Sequence, residues 1–408
     1  MEEVVPTPPL SGLTVLDLSC SLAGSVCTLQ LADAGARVIV VEPPEGSRIL
    51  YLQPPEIFSM IGRDKQSLVV DQSSKQFANI LYRLVDKADV IVIDRPLVLS
   101  NDQLQYEPLA QRNDRLVYCV ISPYGEEGPY ADLPATELEL QGITGHMSFL
   151  GESDEPPVRT GADIGEMAAA MHACTAILSA LLVRDRTGKG QRVSVSAATA
   201  LLSVGSHWMA DFSNPDNFSG GVTHPYEVTE VGYRCKDKNV IFGFFGRRAD
   251  KRDPFQDLVR ELGLEDLLKD PFIAEHGAGY VGVGRDAQEM KPLLEESMES
   301  MTSDEFIALV DRVGGRAAPF MRYDELYGDS PHPEVQATGV LFDLDDEQRA
   351  IRSPWSVDEE IGRAEHTSAP ALGQHTEALL RELEFTPDEI RSMNAAGEIV
   401  CSDLGGLT

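Results

Sequence analysis

Basic residues are scarce in this sequence: 34 Lys and Arg stand against 66 Asp and Glu, a formal charge of −32 over 408 residues. A field of that sign repels polyanions and excludes general nucleic-acid binding, so an anionic ligand must find a local basic pocket. No run of about 18 apolar residues is evident that would cross a bilayer. The acidic start, Met1-Glu-Glu-Val-Val-Pro6, lacks the basic and apolar regions of a secretory signal. No membrane partner and a cytoplasmic location are therefore expected. The cysteines, at 20, 27, 119, 174, 235 and 401, form no C-x-x-C pair and no zinc-type cluster, which predicts reduced core thiols. The eight histidines have no H-x-x-H or H-E-x-x-H spacing, so a metal site is not expected. A G-x-S-x-G elbow is also missing, which argues against an α/β-hydrolase thioesterase.

What is present alternates between strand and helix. Leu13–Leu18 is a short apolar run suited to a buried strand, Ala23–Ala32 has helical spacing closed by Gly35, and Arg37–Glu42 is again strand-like until Pro43-Pro44. That is a β-α-β unit. The pattern repeats with strands at 67–71, 90–93 and 116–122 and a helix at 77–85. A long buried helix is predicted over 164–182, ended by the segment 184–190, with a strand over 191–196. Between 212 and 224 the composition turns to Asn, Ser, Pro and Gly. Strands near 227–234 and 240–245 and helices near 254–268, 286–300 and 303–313 follow, then a strand at 339–344 and a helix at 377–383. The predicted fold class is α/β. Residues 1–215 and 333–408 make a large domain with a Rossmann-like, doubly wound parallel sheet, 225–332 a small α+β domain, and 212–224 the linker. The match to G-x-G-x-x-G at Gly277-Ala-Gly279-Tyr-Val-Gly282 has no strand before it and reads as a loop.

Several segments in order carry a resemblance: Leu22-Ala-Gly24, Leu31-Ala-Asp-Ala-Gly35, Gly62-Arg-Asp-Lys65, Val117–Gly125 with Gly128-Pro-Tyr130, Arg186–Val195, Pro333–Gly339 and Leu372–Leu380. Together the sequence resembles the class III CoA-transferases, the formyl-CoA and carnitine CoA-transferase family that also includes alpha-methylacyl-CoA racemase. The resemblance implies an interlocked dimer of ring-like subunits. It also implies acyl-CoA and carboxylic acid substrates, with coenzyme A as substrate and no permanently bound cofactor. A pairing with a second, related subunit, as in benzylsuccinate CoA-transferase, is an alternative to the homodimer.

In that family an aspartate carboxylate attacks the acyl-CoA thioester, and anhydride and enzyme-CoA thioester intermediates follow. A carboxylate suits the task because its pKa near 4 leaves it ionised without a general base. Here Glu137, in Ala135-Thr-Glu137-Leu-Glu-Leu-Gln141, stands where the family has that aspartate. The resemblance also places Gly220 and Gly221 in a glycine-rich lid, Ala23 and Gly24 at the helix start near the thioester, and Tyr124 in the lining of the pocket. Arg63, Lys65 and Arg95 are candidates for the coenzyme's phosphates. Two other readings stay open. Glu137 is a solvated glutamate in a turn and the chain is a non-catalytic subunit beside an active partner; or the chain is a racemase, for which Asp163 matches one base but Thr136 replaces the histidine.

Overall fold

The computed structural model describes residues 7–46, 55–149, 156–206, 232–244, 253–269, 285–328, 330–344, 348–355 and 366–402. Gly220, Gly221, the linker over 212–224 and the glycine match at 277–282 lie outside them. The chain divides into two compact units. One comprises Met1–His146, Arg159–Met209 and Thr338–Thr408, the other Met147–Val158 and Ala210–Ala337.

The first unit opens with β1 (Thr14–Leu18), α1 (Leu22–Asp33), β2 (Arg37–Glu42), β3 (Lys65–Val70), α2 (Phe77–Val85), β4 (Val90–Asp94) and β5 (Val117–Ser122). It continues through α3 (Glu137–Ile143), α4 (Ile164–Thr187), β6 (Arg192–Ser196) and α5 (Ala197–Val204). The second unit contains β7 (Tyr233–Arg234), β8 (Asn239–Gly243), α6 (Pro254–Glu261), α7 (Arg285–Met298), α8 (Ser303–Val313) and β9 (Arg316–Pro319). Its antiparallel β7-β8-β9 sheet packs Tyr233 and Val240 against Leu258, Leu294, Phe306 and Val310. The chain ends in the first unit with β10 (Leu341–Asp343), β11 (Arg349–Ile351), α9 (Thr376–Glu382), α10 (Pro387–Ala395) and β12 (Ile399–Val400).

The large sheet has the order β12-β3-β2-β1-β4-β5-β6, and every pairing is parallel except β12 on β3. Its central strands β1, β2, β4 and β5 are largely apolar on both faces, as a sheet covered twice requires. Leu16, Ile39, Leu68, Ile91 and Tyr118 face α2, α9 and α10, while Val15, Val38, Val92 and Cys119 face α1 and α4. Each such side chain contributes about 2 kcal/mol by leaving water. None of the six cysteines is in a disulfide.

The matching segment at 372–380 has a physical task here. Gly373 N donates to Ser67 Oγ (2.8 Å), Ser67 N to His375 Nδ1 (3.2 Å) and Val69 N to Thr376 Oγ1 (3.0 Å), which seats the chain's end on β3. Helix α4 corrects two expectations. It is long and apolar enough by composition to cross a membrane, which the search for an unbroken apolar run passed over. Nor is it wholly buried: Ala169, Ala173 and Ile177 are packed in the core, but Met171 and Leu182 are about 60% exposed (59% and 62%).

Candidate active site

In a doubly wound sheet, ligands gather beyond the carboxyl ends of the strands where the strand order reverses. In this unit that reversal lies between β1 and β4, and a cavity of about 1090 Å³ opens there. It is lined by the ends of β1, β2, β4 and β5, the turn into α1, and the starts of α3 and α4. The volume is enough for a ligand larger than a simple acid.

Three carboxylates form its inner wall. Asp94, the last residue of β4, reaches the turn between β1 and α1: its oxygens accept from Cys20 N (2.5 Å) and Ser21 Oγ (2.8 Å). Burial pushes its carboxyl up to about 6. Glu137 is the first residue of α3, which Thr136 and Glu139 open with a capping box. It is 7% exposed, and its side chain caps α4 in place of the N-cap residue Asp163, whose side chain makes no capping bond. Glu137 Oε1 accepts from Gly165 N (2.8 Å) and Gln141 Nε2 (2.8 Å), and Oε2 from Glu166 N (3.0 Å). A carboxylate on the exposed N–H groups of a helix start is favoured by the helix dipole as well as by the bonds. Gly165 is what permits it, because a Cβ there would lie 3.1 Å from Glu137 Oε2.

Glu166 is the third. It sits in the first turn of α4, half-buried in the cavity wall. Its Oε2 accepts from Ala23 N in the first turn of α1 (2.8 Å), while Oε1 accepts no hydrogen bond among the described residues. Burial is the main cause that pushes its carboxyl up to about 7, and Asp94, Glu137 and Asp163 add to the rise. One carboxylate is thus fully engaged and the other half open.

The profile of CoA-transferase family III matches residues 10–376. The chain belongs to that family. The succinate–glutarate CoA-transferase of Agrobacterium fabrum is 30% identical over 92% of this chain and 96% of its own length. The acetyl-CoA:oxalate CoA-transferase of Acetobacter aceti is also 30% identical, over 83% and 86%. Among solved structures, a CaiB/BaiF family protein from Brucella suis superposes with a TM-score of 0.79 at 27% identity, covering 93% of this chain and all of that one (100%).

Within this family III chain, the residues that sequence reasoning singled out separate into two groups. Glu137 and Ala23 line the cavity, as do Thr136 and Asp163. The reading of Glu137 as a solvated turn residue is corrected by its burial and its three bonds. Gly24, Arg63, Lys65, Arg95 and Tyr124 do not line the cavity. Gly24 is small because a Cβ would stand 2.1 Å from Ser19 Cβ. Arg63 is 2% exposed and spends its guanidinium on Asp33 and Asp64. Lys65 is 5% exposed and donates to Asp17 (3.1 Å), Ser25 O (2.9 Å) and Thr28 Oγ1 (2.8 Å). Arg95 ties Glu126 and Asp132 (both 3.1 Å) to the Ala131 carbonyl (3.2 Å), bracing the loop after β5, and Tyr124 packs on Tyr130. All three cations are ion-pair partners within the fold. The residue that sequence reasoning missed is Glu166. A glutamate in the first turn of a helix is an ordinary choice for the dipole, and nothing in its neighbours distinguishes it.

Proposed function

We propose that this chain transfers coenzyme A from an acyl-CoA to a carboxylic acid, with Glu166 as the nucleophile and Glu137 as the residue that positions it. The observation that carries the reading is the half-open carboxylate of Glu166 in the wall of a cavity at the sheet's switch point. Family membership supports the reaction. Glu137, with both oxygens on donors, holds the backbone of Gly165 and Glu166 and thereby aims the carboxylate that follows.

In this reading Glu166 attacks the thioester carbonyl, forming a mixed anhydride and releasing CoA thiolate. The thiolate attacks the enzyme's side of the anhydride, giving a glutamyl-CoA thioester and free donor acid. The acceptor carboxylate then attacks that thioester, and the thiolate it expels attacks the acceptor's side of the new anhydride. Acceptor-CoA leaves and Glu166 is restored, with no net proton or electron exchanged. No bound cofactor takes part. The relatives named for succinate, glutarate and oxalate make succinyl-CoA the first donor to try.

A second copy of the chain, or a related subunit, fits the exposed apolar residues Met171, Leu182, Leu202 and Val204 on α4 and α5, which single surface side chains would not explain. The interlocked dimer of the family is the form proposed, and the solution mass of the pure chain tests it. For the chemistry, the pure chain is incubated with succinyl-CoA and quenched with hydroxylamine, and peptide masses are read for a hydroxamate. A hydroxamate on Glu166 is expected. One on Glu137 reverses the two roles, and none on this chain alone favours a non-catalytic subunit that needs an active partner.

A further inference from the structure

Among the described residues lining the cavity, Arg159 is the one cation. Glu42, Glu45 and Asp71 line the part near β2 and β3, and Asp94, Glu137, Asp163 and Glu166 the part near α3 and α4. A negatively charged substrate entering such a cavity meets carboxylates on each side, so the one guanidinium decides where a carboxylate can rest. Arg159 is 41% exposed and its guanidinium lies on Asp163, which is 26% exposed. That pair is open to solvent, unlike those of Arg63 and Lys65, so its net strength is small and a better-placed anion can take over the arginine.

The backbone that carries Arg159 is fixed. Gln141 of α3 is fully buried, and it holds the next residue by accepting from Thr160 N (3.0 Å) and donating to Thr160 Oγ1 (2.8 Å). The same Gln141 donates to Glu137, so Arg159 and Glu166 are both braced from α3. Asp163, the N-cap residue of α4, stands three residues before Glu166, about 4.5 Å along the helix axis. A short dicarboxylic acid can therefore have one carboxylate at Glu166 and the other on Arg159.

We propose that Arg159 is a specificity residue that holds the distal, non-reacting carboxylate of a dicarboxylic acid acceptor, and that Asp163 occupies the guanidinium until the acceptor arrives. This rests on the reading of the chain as a CoA-transferase with Glu166 as nucleophile. A bidentate arginine–carboxylate pair suits the task by its fixed geometry.

The test compares glutarate with pentanoate, which has the same chain length and lacks the distal carboxylate, each as acceptor from succinyl-CoA. The full-length protein is used as wild type, Arg159→Gln, Arg159→Lys and Asp163→Asn. Arg159→Gln is expected to lower kcat/KM for glutarate about 10- to 100-fold, mostly through KM, and to change that for pentanoate less than about threefold. Arg159→Lys should restore part of the glutarate rate, and Asp163→Asn should lower the KM for glutarate. Equal losses for both acids, or no loss for either, overturn the proposal. So does a rise in the KM for acetyl-CoA, a donor without a distal carboxylate, with Arg159→Gln, which would put the arginine on the coenzyme's phosphates. If the wild type transfers CoA to neither acid, it is the proposed function that fails.

Discussion

The first unit buries carboxylates in two places and treats them differently. Beneath α1, Asp17 is paired with Lys65, and Asp33 and Asp64 with Arg63, in side chains that are at most 7% exposed. Around the cavity, Asp94, Glu137 and Glu166 have no cation partner among the described residues and are held by N–H, hydroxyl and amide groups alone. A buried ion pair satisfies its own charges and adds to the integrity of the fold. Burial pushes the titration of carboxylates without a cation upward, as at Glu166 and Asp94, and such groups mark sites of chemistry. The two kinds of burial therefore separate structure from function.

Substituting one carboxylate from each place breaks that comparison most sharply. Glu166→Gln should lower CoA transfer at pH 8 by about a thousandfold or more with the fold intact, since an amide cannot form the anhydride. A variant within about tenfold of wild type would show that the unpaired wall does no chemistry. Lys65→Met has the opposite signature. It leaves Asp17, 1% exposed, without its cation and should cost about 3–5 kcal/mol in urea unfolding, with little change in the KM for acyl-CoA. Unchanged stability with a raised acyl-CoA KM would return Lys65 to the coenzyme.

The same contrast explains what the sequence could tell. The apolar strands at 13–18, 37–42, 90–93 and 116–122 and the helix at 77–85 were legible because periodicity and burial go together in a doubly covered sheet. The edge strand β12 and the short β9 were not, because a strand of two or four residues carries no periodic signal. The loop of Glu137 was legible through the family's pattern, but the partners of its carboxylate were not. Charge type alone does not say whether a glutamate's oxygens end on solvent or on the start of a helix 28 residues later. The ion pairs of Arg63 and Lys65 were not legible for the same reason: their carboxylate partners at 33 and 17 come from other elements.

Between these extremes, Glu137→Gln tests whether support from behind is separate from reaction in front. One oxygen acceptor remains, so α4 should still form, but Glu166 loses part of its aim. A fall of about 10- to 100-fold in kcat is expected with KM nearly unchanged. A loss as deep as that of Glu166→Gln would instead make Glu137 a direct participant.

The smallest effect is the pH dependence of stability, and it discriminates well. In the folded chain Glu166 keeps its proton up to about pH 7, whereas an ordinary glutamate gives it up near 4.5. Between those values the native state binds more protons than the unfolded one, so this residue lowers stability as pH rises through the window, and the loss is complete above about 7. Glutamine carries no such charge. Glu166→Gln should therefore be more stable than wild type at pH 8, by about 1–3 kcal/mol, with the difference shrinking to nothing below about pH 4. Transfer activity should run the other way in the wild type, rising through about pH 7 as the nucleophile ionises. A Glu166→Gln variant equally stable at both ends of the range would mean that the carboxylate is solvated, and the contrast between paired and unpaired burial would fail at the residue on which it depends.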